Sequence, residues 1–138
     1  MNTNGRLRTP ESILLIGLDP REEAAVRGSV RESPYWTVAG SCRTYGEALT
    51  RIGGTHISMA VLSCRPGDMS VASFLELTGL FSVFLIPEEP AGVDLISLAV
   101  DSVHTGKIIN FMRAPADRRQ LDQVYRDLLH YRAREDGR

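Results

Sequence analysis

The chain has 138 residues, 43% apolar and 24% charged, with 16 basic against 17 acidic side chains for a net charge of -1. That length suits one domain with one core, and the apolar share is enough to offset the entropy of ordering it. A near-neutral balance of interspersed charge excludes a field that would gather nucleic acid or anionic membrane, so direct nucleic-acid binding is not expected.

The longest apolar runs, Ser12 to Leu18 and Leu80 to Pro87, fall well short of the roughly 20 residues a membrane helix needs. No signal peptide is read ahead of them, so no membrane association is expected and a cytoplasmic location is. Cys42 and Cys64 form neither a disulfide framework nor a paired set of zinc ligands, and reduced thiols are expected.

Residues 1–11 lack periodicity and read as a flexible leader. Ser12 to Leu18 is an unbroken apolar run of the kind that suits a central parallel strand. Asp19 and Pro20 then start a helix, the first by capping free amides and the second by its pre-set φ; the helix ends near Ser33-Pro34. Tyr35 to Ala39 is the second strand, and Thr44 to Ile52 a helix that Gly53-Gly54 terminates.

Ile57 to Ser63 is the third strand, closed by the turn Arg65-Pro66-Gly67-Asp68 and followed by a helix over Ser70 to Thr78. Ser82 to Ile86 is the fourth strand, and Pro87-Glu88-Glu89-Pro90 forces a loop. Val93, Ile96, Val100 and Val103 recur at helical spacing, which predicts a helix to His104 with that stripe laid on the sheet. Lys107 to Met112 is the fifth strand, and a last helix starts near Asp117. Alternation of this kind implies an α/β fold, a five-stranded parallel sheet in the order 2-1-3-4-5 with helices on both faces and a crevice at the carboxyl ends of strands one and three.

The order and lengths of the elements, the Arg65-Pro66-Gly67 turn after strand three and Ala114-Pro115 after strand five resemble the receiver domain of bacterial response regulators over 12–131. In that family an acidic pair ending strand one holds magnesium, a hard cation that wants oxygen donors. The matching places here are Gly17 and Leu18, with Asp19 the acidic position kept. The family's phosphoryl-accepting aspartate falls on Leu62 or Ser63, its hydroxyl residue on Pro87 and its lysine on Ala114, with Arg113 one residue away as a nearby cation. Phe111 matches the family's switch aromatic.

The resemblance therefore implies a degenerate pseudo-receiver with a cleft too poor in acids to chelate magnesium, no cofactor, no metal and no catalysis. It would regulate an attached effector or a separate protein partner of a signalling or transcription system, as a homodimer. The implied pairing surface uses Asp94, Asp101, Arg118, Arg119, Asp122 and Arg126; residues 132–138 would form a tail or a linker toward an effector. An alternative reading makes the crevice around Gly17, Ser63, Cys64 and Arg113 a sensor for a small molecule or second messenger.

Other groupings are weaker. Ser63 or Cys64 as a nucleophile with His56 or His104 as base lacks a nucleophile elbow and an oxyanion loop, and His130 reads as a surface residue. No phosphate-cradling glycine motif is present. Asp19 and Asp68 suit capping and turn roles better than a metal, and Tyr35 and Trp36 suit the edge of the core better than an exposed aromatic patch.

Overall fold

The computed structural model describes residues 9–89 and 94–136. Within them the elements run β1 (Glu11–Ile16), α1 (Pro20–Arg31), β2 (Trp36–Cys42), α2 (Tyr45–Gly54), β3 (Met59–Leu62), α3 (Val71–Thr78), β4 (Ser82–Ile86), α4 (Leu95–Thr105), β5 (Ile108–Arg113) and α5 (Arg118–Asp136). All the strands pair in parallel, in the expected order β2-β1-β3-β4-β5.

β1 sits at the centre because its side chains can be covered from both sides: Ile13, Leu14, Leu15 and Ile16 are fully buried. Alternation along the strand divides them. Ile13 and Leu15 pack with Val26 and Val30 of α1 and with Leu121, Val124 and Leu128 of α5. Leu14 and Ile16 pack on the other face with Tyr45 and Ala48 of α2, Phe74 and Leu75 of α3 and Leu98 of α4.

Local signals placed most helix ends. Asp19 caps α1 in a reciprocal box: its carboxylate accepts from the Glu22 amide at 2.8 Å, and its own amide donates to Glu22 Oε1 at 3.1 Å. Ser70 caps α3, which closes on Gly79 in the left-handed region at φ 62°. β2 runs on to Cys42, beyond its expected end, through an irregularity in which Val38 faces Ile13 and Gly40 faces Leu14, leaving Ala39 as the extra residue. Gly53 and Gly54 form the last turn of α2 instead of stopping it, and the helix ends at extended Thr55.

The stripe expected to face the sheet from α4 does the opposite. Ile96, Val100 and Val103 are 79%, 61% and 87% exposed, and among the described residues of this helix the one buried in the core is Leu98. Spacing identified side chains that share a face, but a helix with apolar residues on two sides does not declare which side turns inward. Val93, Pro90, residues 1–8 and residues 137 and 138 lie outside the described residues.

Trp36 belongs to the core rather than to an exposed patch: it is buried, and its indole Nε1 donates to the Leu121 carbonyl of α5 at 3.0 Å. Tyr35 is partly exposed and stacks on Tyr125, with ring centroids 4.3 Å apart. Glu11 and the last turns of α5 are also tied to the fold. Glu11, expected in the leader, opens β1 and accepts from Arg132 Nη2 at 2.9 Å; Lys107 Nζ pairs with Glu135 at 2.8 Å, so α5 is held well into the expected tail.

The hydrogen bond from Arg132 holds the Glu11 carboxyl below its ordinary value of 4.5. A depressed carboxylate contributes stability that is fully present above that value and is lost as pH falls through the lower folded-state value. Replacing Glu11 with Gln is therefore expected to lower the thermal midpoint at neutral pH and to flatten its fall below about pH 4.5, as followed by circular dichroism. An acid limb unchanged by the substitution would remove this tie from the stability of the domain.

Candidate functional site

With both sheet faces covered, polar side chains collect where strands end. At the carboxyl end of β1 the chain turns at Gly17 with φ 75°, in the left-handed region. A Cβ there would lie 2.5 Å from Pro66 Cδ and Cγ and 2.7 Å from Ser63 Oγ, so no other residue fits without displacing the turn after β3. The amide of Gly17 donates to the Cys42 carbonyl at 2.8 Å. Its carbonyl accepts from Ser63 Oγ at 2.7 Å and from Arg65 Nη1 at 3.4 Å.

At the end of β3, Leu62 is buried among Tyr45 and Phe74, while Ser63 turns toward Gly17. Of the two residues matched to the acceptor position, Ser63 is the one beside Gly17, and its hydroxyl is already engaged. The Ser63 oxygen also accepts from the Arg65 amide at 3.3 Å, which helps set the Arg65 side chain beneath α1.

There the guanidinium of Arg65 meets two carboxylates. Nη1 donates to Glu22 Oε1, and Nη2 to Glu22 Oε2 at 3.1 Å and to Asp19 Oδ2 at 3.2 Å. The bond to Glu22 is two-pronged, the geometry that suits arginine and a carboxylate best. Glu22 is 8% exposed, whereas the side chains of Arg65 and Asp19 are each 40% exposed. The Glu22 carboxylate holds the Arg65 guanidinium above its already high ordinary value, so it stays charged.

This arrangement corrects the expectation of an acid-poor cleft. Glu22 supplies a second carboxylate beside Asp19, and the same crevice, of about 530 Å³, is lined further by Glu88 and Glu89. Glu22 was missed from the sequence; its position three residues after Asp19, the spacing of a capping box, is the signal that could have found it. The cation of the crevice is likewise not Arg113. That residue is exposed at the end of β5, its amide donating to Gln120 Oε1 at 2.8 Å, and Ala114 and Pro115 line the crevice in its place.

The magnesium ion implied by the family does not fit the residues as they stand. Its natural donors, the Gly17 carbonyl, Asp19 and Glu22, are bonded by Arg65, and among the described residues no three His, Cys, Asp or Glu side chains form a metal-holding group. Pro87 lines the crevice without a hydroxyl to offer.

Several other expected residues lie apart. Asp68 caps α2, accepting from the amides of Tyr45 at 3.2 Å and Gly46 at 2.9 Å, and the Gly46 bond above all holds its carboxyl below the ordinary range. Leu18 packs against the α1 and α5 side of the core. Phe111 is half-buried next to Phe84, ring centroids 6.3 Å apart. His56 is exposed before β3, where its carbonyl accepts from Ser12 Oγ at 3.1 Å, and exposed His104 is in the last turn of α4. Both lie toward the amino edge of the parallel sheet, away from Ser63. Cys64 is exposed and Cys42 buried, and burial pushes the Cys42 thiol up. Around Ser63 and Cys64 a separate hollow of about 280 Å³ reaches to Tyr45, Met69 and Leu98.

The residues expected to form one pairing surface lie on two elements: Arg118, Arg119, Asp122 and Arg126 share one side of α5, and Asp101 is on α4. Asp122 forms an ion pair with Arg118 at 3.5 Å and accepts from Ser33 Oγ at 3.5 Å, which turns this pair toward the end of α1. Arg126 donates to Gln123 at 2.9 Å; Gln123 donates to Asp127 at 3.0 Å, and Asp127 accepts from Asn110 of β5 at 2.6 Å. Asp94 instead precedes α4, capping it by accepting from the Ser97 amide at 2.9 Å; that bond holds its carboxyl below the ordinary range.

No protein-family model matches the sequence, and no curated protein matches it. The fold, by contrast, is widely shared among solved structures. The receiver domain protein (CheY-like) of Methanospirillum hungatei superposes with a TM-score of 0.69 at 17% identity, covering 91% of this chain and 99% of that one. The signal receiver domain of an HD domain-containing protein from Pseudomonas fluorescens gives 0.71 at 15% identity, covering 94% and 95%. The RcsB response regulator of Salmonella typhimurium gives 0.68 at 13% identity, over 89% of this chain and 62% of that one. The chain thus has the receiver fold, five parallel strands wrapped by helices, with a Gly, Ser and Arg arrangement at the crevice.

An acid at position 17, where the resemblance led one to be expected, should be rejected on steric grounds. Gly17→Asp is expected to destabilise the domain by roughly 1–3 kcal/mol from the left-handed backbone and by a similar amount from crowding Pro66. Urea unfolding with and without magnesium checks this. A variant as stable as the parent would show that the turn after β3 gives way more easily than its 2.5 Å approach implies.

Proposed function

We propose that this chain is a receiver-like regulatory domain that works without phosphoryl transfer and acts through protein contacts, pairing with a second copy of itself. The observation that carries the first part is at the strand ends: Ser63, one of the two residues matched to the acceptor position, donates its hydroxyl to Gly17, and the carboxylates of Asp19 and Glu22 are held by Arg65. A serine hydroxyl has no carboxylate to form an acyl phosphate. Solved neighbours include a receiver domain of an HD domain-containing protein and a response regulator longer than this chain. They support reading 12–131 as a receiver unit; we place it in the cytoplasm, with the last turns of α5 leading toward an attached or separate output module.

The surface that supports pairing is α4. Leu95, Ile96, Val100 and Val103 are 44%, 79%, 61% and 87% exposed, an apolar exposure that monomers usually avoid in a contiguous patch. Between Leu95 and Thr105 the helix carries just Asp101 and His104 as ionisable residues, and Asp101 is half-buried. An uncharged face meets its own twin across a two-fold axis without like-charge repulsion. Acidic Asp94 just before α4 and Asp101 within it, with basic Arg119 and Arg126 of α5, provide opposite signs for a two-fold axis to bring into register, steering the pairing more than strengthening it.

Two measurements test the two parts. With magnesium and a small phosphodonor, the intact mass of the chain should stay unchanged; a hydroxylamine-sensitive phosphoryl adduct would refute phosphorylation independence. In sedimentation, the wild type should populate a dimer that Val100→Asp or Val103→Glu shifts to monomer while the fold is retained. A wild type that remains monomeric at high concentration removes the second copy as the occupant of α4.

A further inference from the structure

We infer that the mismatch between this crevice and a divalent ion is a replacement and not a plain loss: the Arg65 guanidinium is the resident cation, held on a tether among the oxygens of Gly17, Asp19 and Glu22. This rests on the phosphorylation-independent reading of the same crevice and states what keeps it in that condition.

The contacts of the guanidinium are those of a cation with a mixed oxygen shell. It reaches a backbone carbonyl at 3.4 Å, Asp19 Oδ2 at 3.2 Å and both oxygens of Glu22, the more distant at 3.1 Å. One carbonyl with two carboxylates is the donor chemistry that a hard cation selects. Glu22 is the decisive member, because a carboxylate 8% exposed must be compensated. Among the described residues its one ion pair is with Arg65.

The tether is itself built. The Arg65 amide donates to Ser63 Oγ, whose hydroxyl donates to Gly17, and Pro66 sits where a side chain at position 17 would otherwise project. Gly17 is therefore both an oxygen donor to the cation and the residue whose missing Cβ makes room for the turn that carries it. Covalent attachment makes the cation's effective concentration independent of free ions. Arginine also stays protonated throughout the folding range of pH. A dissociable ion would make the charge of the crevice conditional; this one makes it constant.

The test uses the full chain, Mn²⁺ as probe and matched ionic strength. The wild-type thermal midpoint should not respond to Mn²⁺. Arg65→Gln should lower it by several degrees in metal-free buffer, and Mn²⁺ should recover most of that loss by mass action on the uncovered oxygens. Adding Glu22→Gln to Arg65→Gln should restore stability without metal and abolish the response. Should R65Q be unfolded in metal-free buffer, refolding on addition of Mn²⁺ supports the inference and no refolding overturns it. A Mn²⁺ response in the wild type, or none in a folded R65Q, also overturns it. Phosphoryl uptake by the wild type would sink the underlying reading whatever Arg65 does, whereas a wild-type Mn²⁺ response without uptake removes the Arg65 assignment alone.

Discussion

Ile13 to Ile16 are buried on both faces of the sheet, and that constraint drives every chemical group of the domain to the ends of strands. A strand covered by helices on each side has no room for an unpaired polar side chain, whose desolvation would go uncompensated. The first residue past β1 must then turn sharply beside the end of β3. Gly17 does so at φ 75°, and its open side is filled by Pro66 and Ser63. Each later feature of the crevice follows from that close approach: a hydroxyl pointed at a carbonyl, a turn pressed against the glycine, and an arginine delivered under the start of α1.

The capping of α1 and the charge of the crevice are one structure. Asp19 and Glu22 satisfy each other's amides as a capping box, and the same two carboxylates receive Arg65. Acidic groups at a helix amino end also face the positive end of its dipole. The carboxylates are therefore compensated twice, from the helix and from the turn after β3. Arg65 thus offsets part of the charge of Asp19 and Glu22, and the most conspicuous unpartnered feature is α4. Its inward side supplies Leu98 to the core, while Ile96, Val100 and Val103 remain outside.

Strand order, the start of α1 and the limits of β4 were legible because each has a local cause: an unbroken apolar run, an Asp-Pro start, prolines after Ile86. Other features had no local signature. The spacing of Ile96, Val100 and Val103 was visible, yet their direction depended on which side of α4 the neighbouring β5 and α3 left uncovered. Glu22 showed its spacing to Asp19 but not the guanidinium that reaches it from 43 residues away along the chain. Arg113 was placed near the cleft by counting from Pro115, but Ala114, not Arg113, lines it.

By itself the sequence determined the alternation of elements and the class of fold, since periodicity, caps and turn residues act over a few neighbours. It also determined that the residues closing β3 and following it are Leu62 and Ser63, neither of which carries a carboxylate. Tertiary structure decided which carboxylates and which arginine share the crevice, and which apolar face of α4 turns to solvent. Those outcomes are set by the packing of elements distant in sequence, where a displacement of a few ångströms separates an ion pair from two solvated charges and a rotation of half a turn exchanges the inside of a helix for its outside.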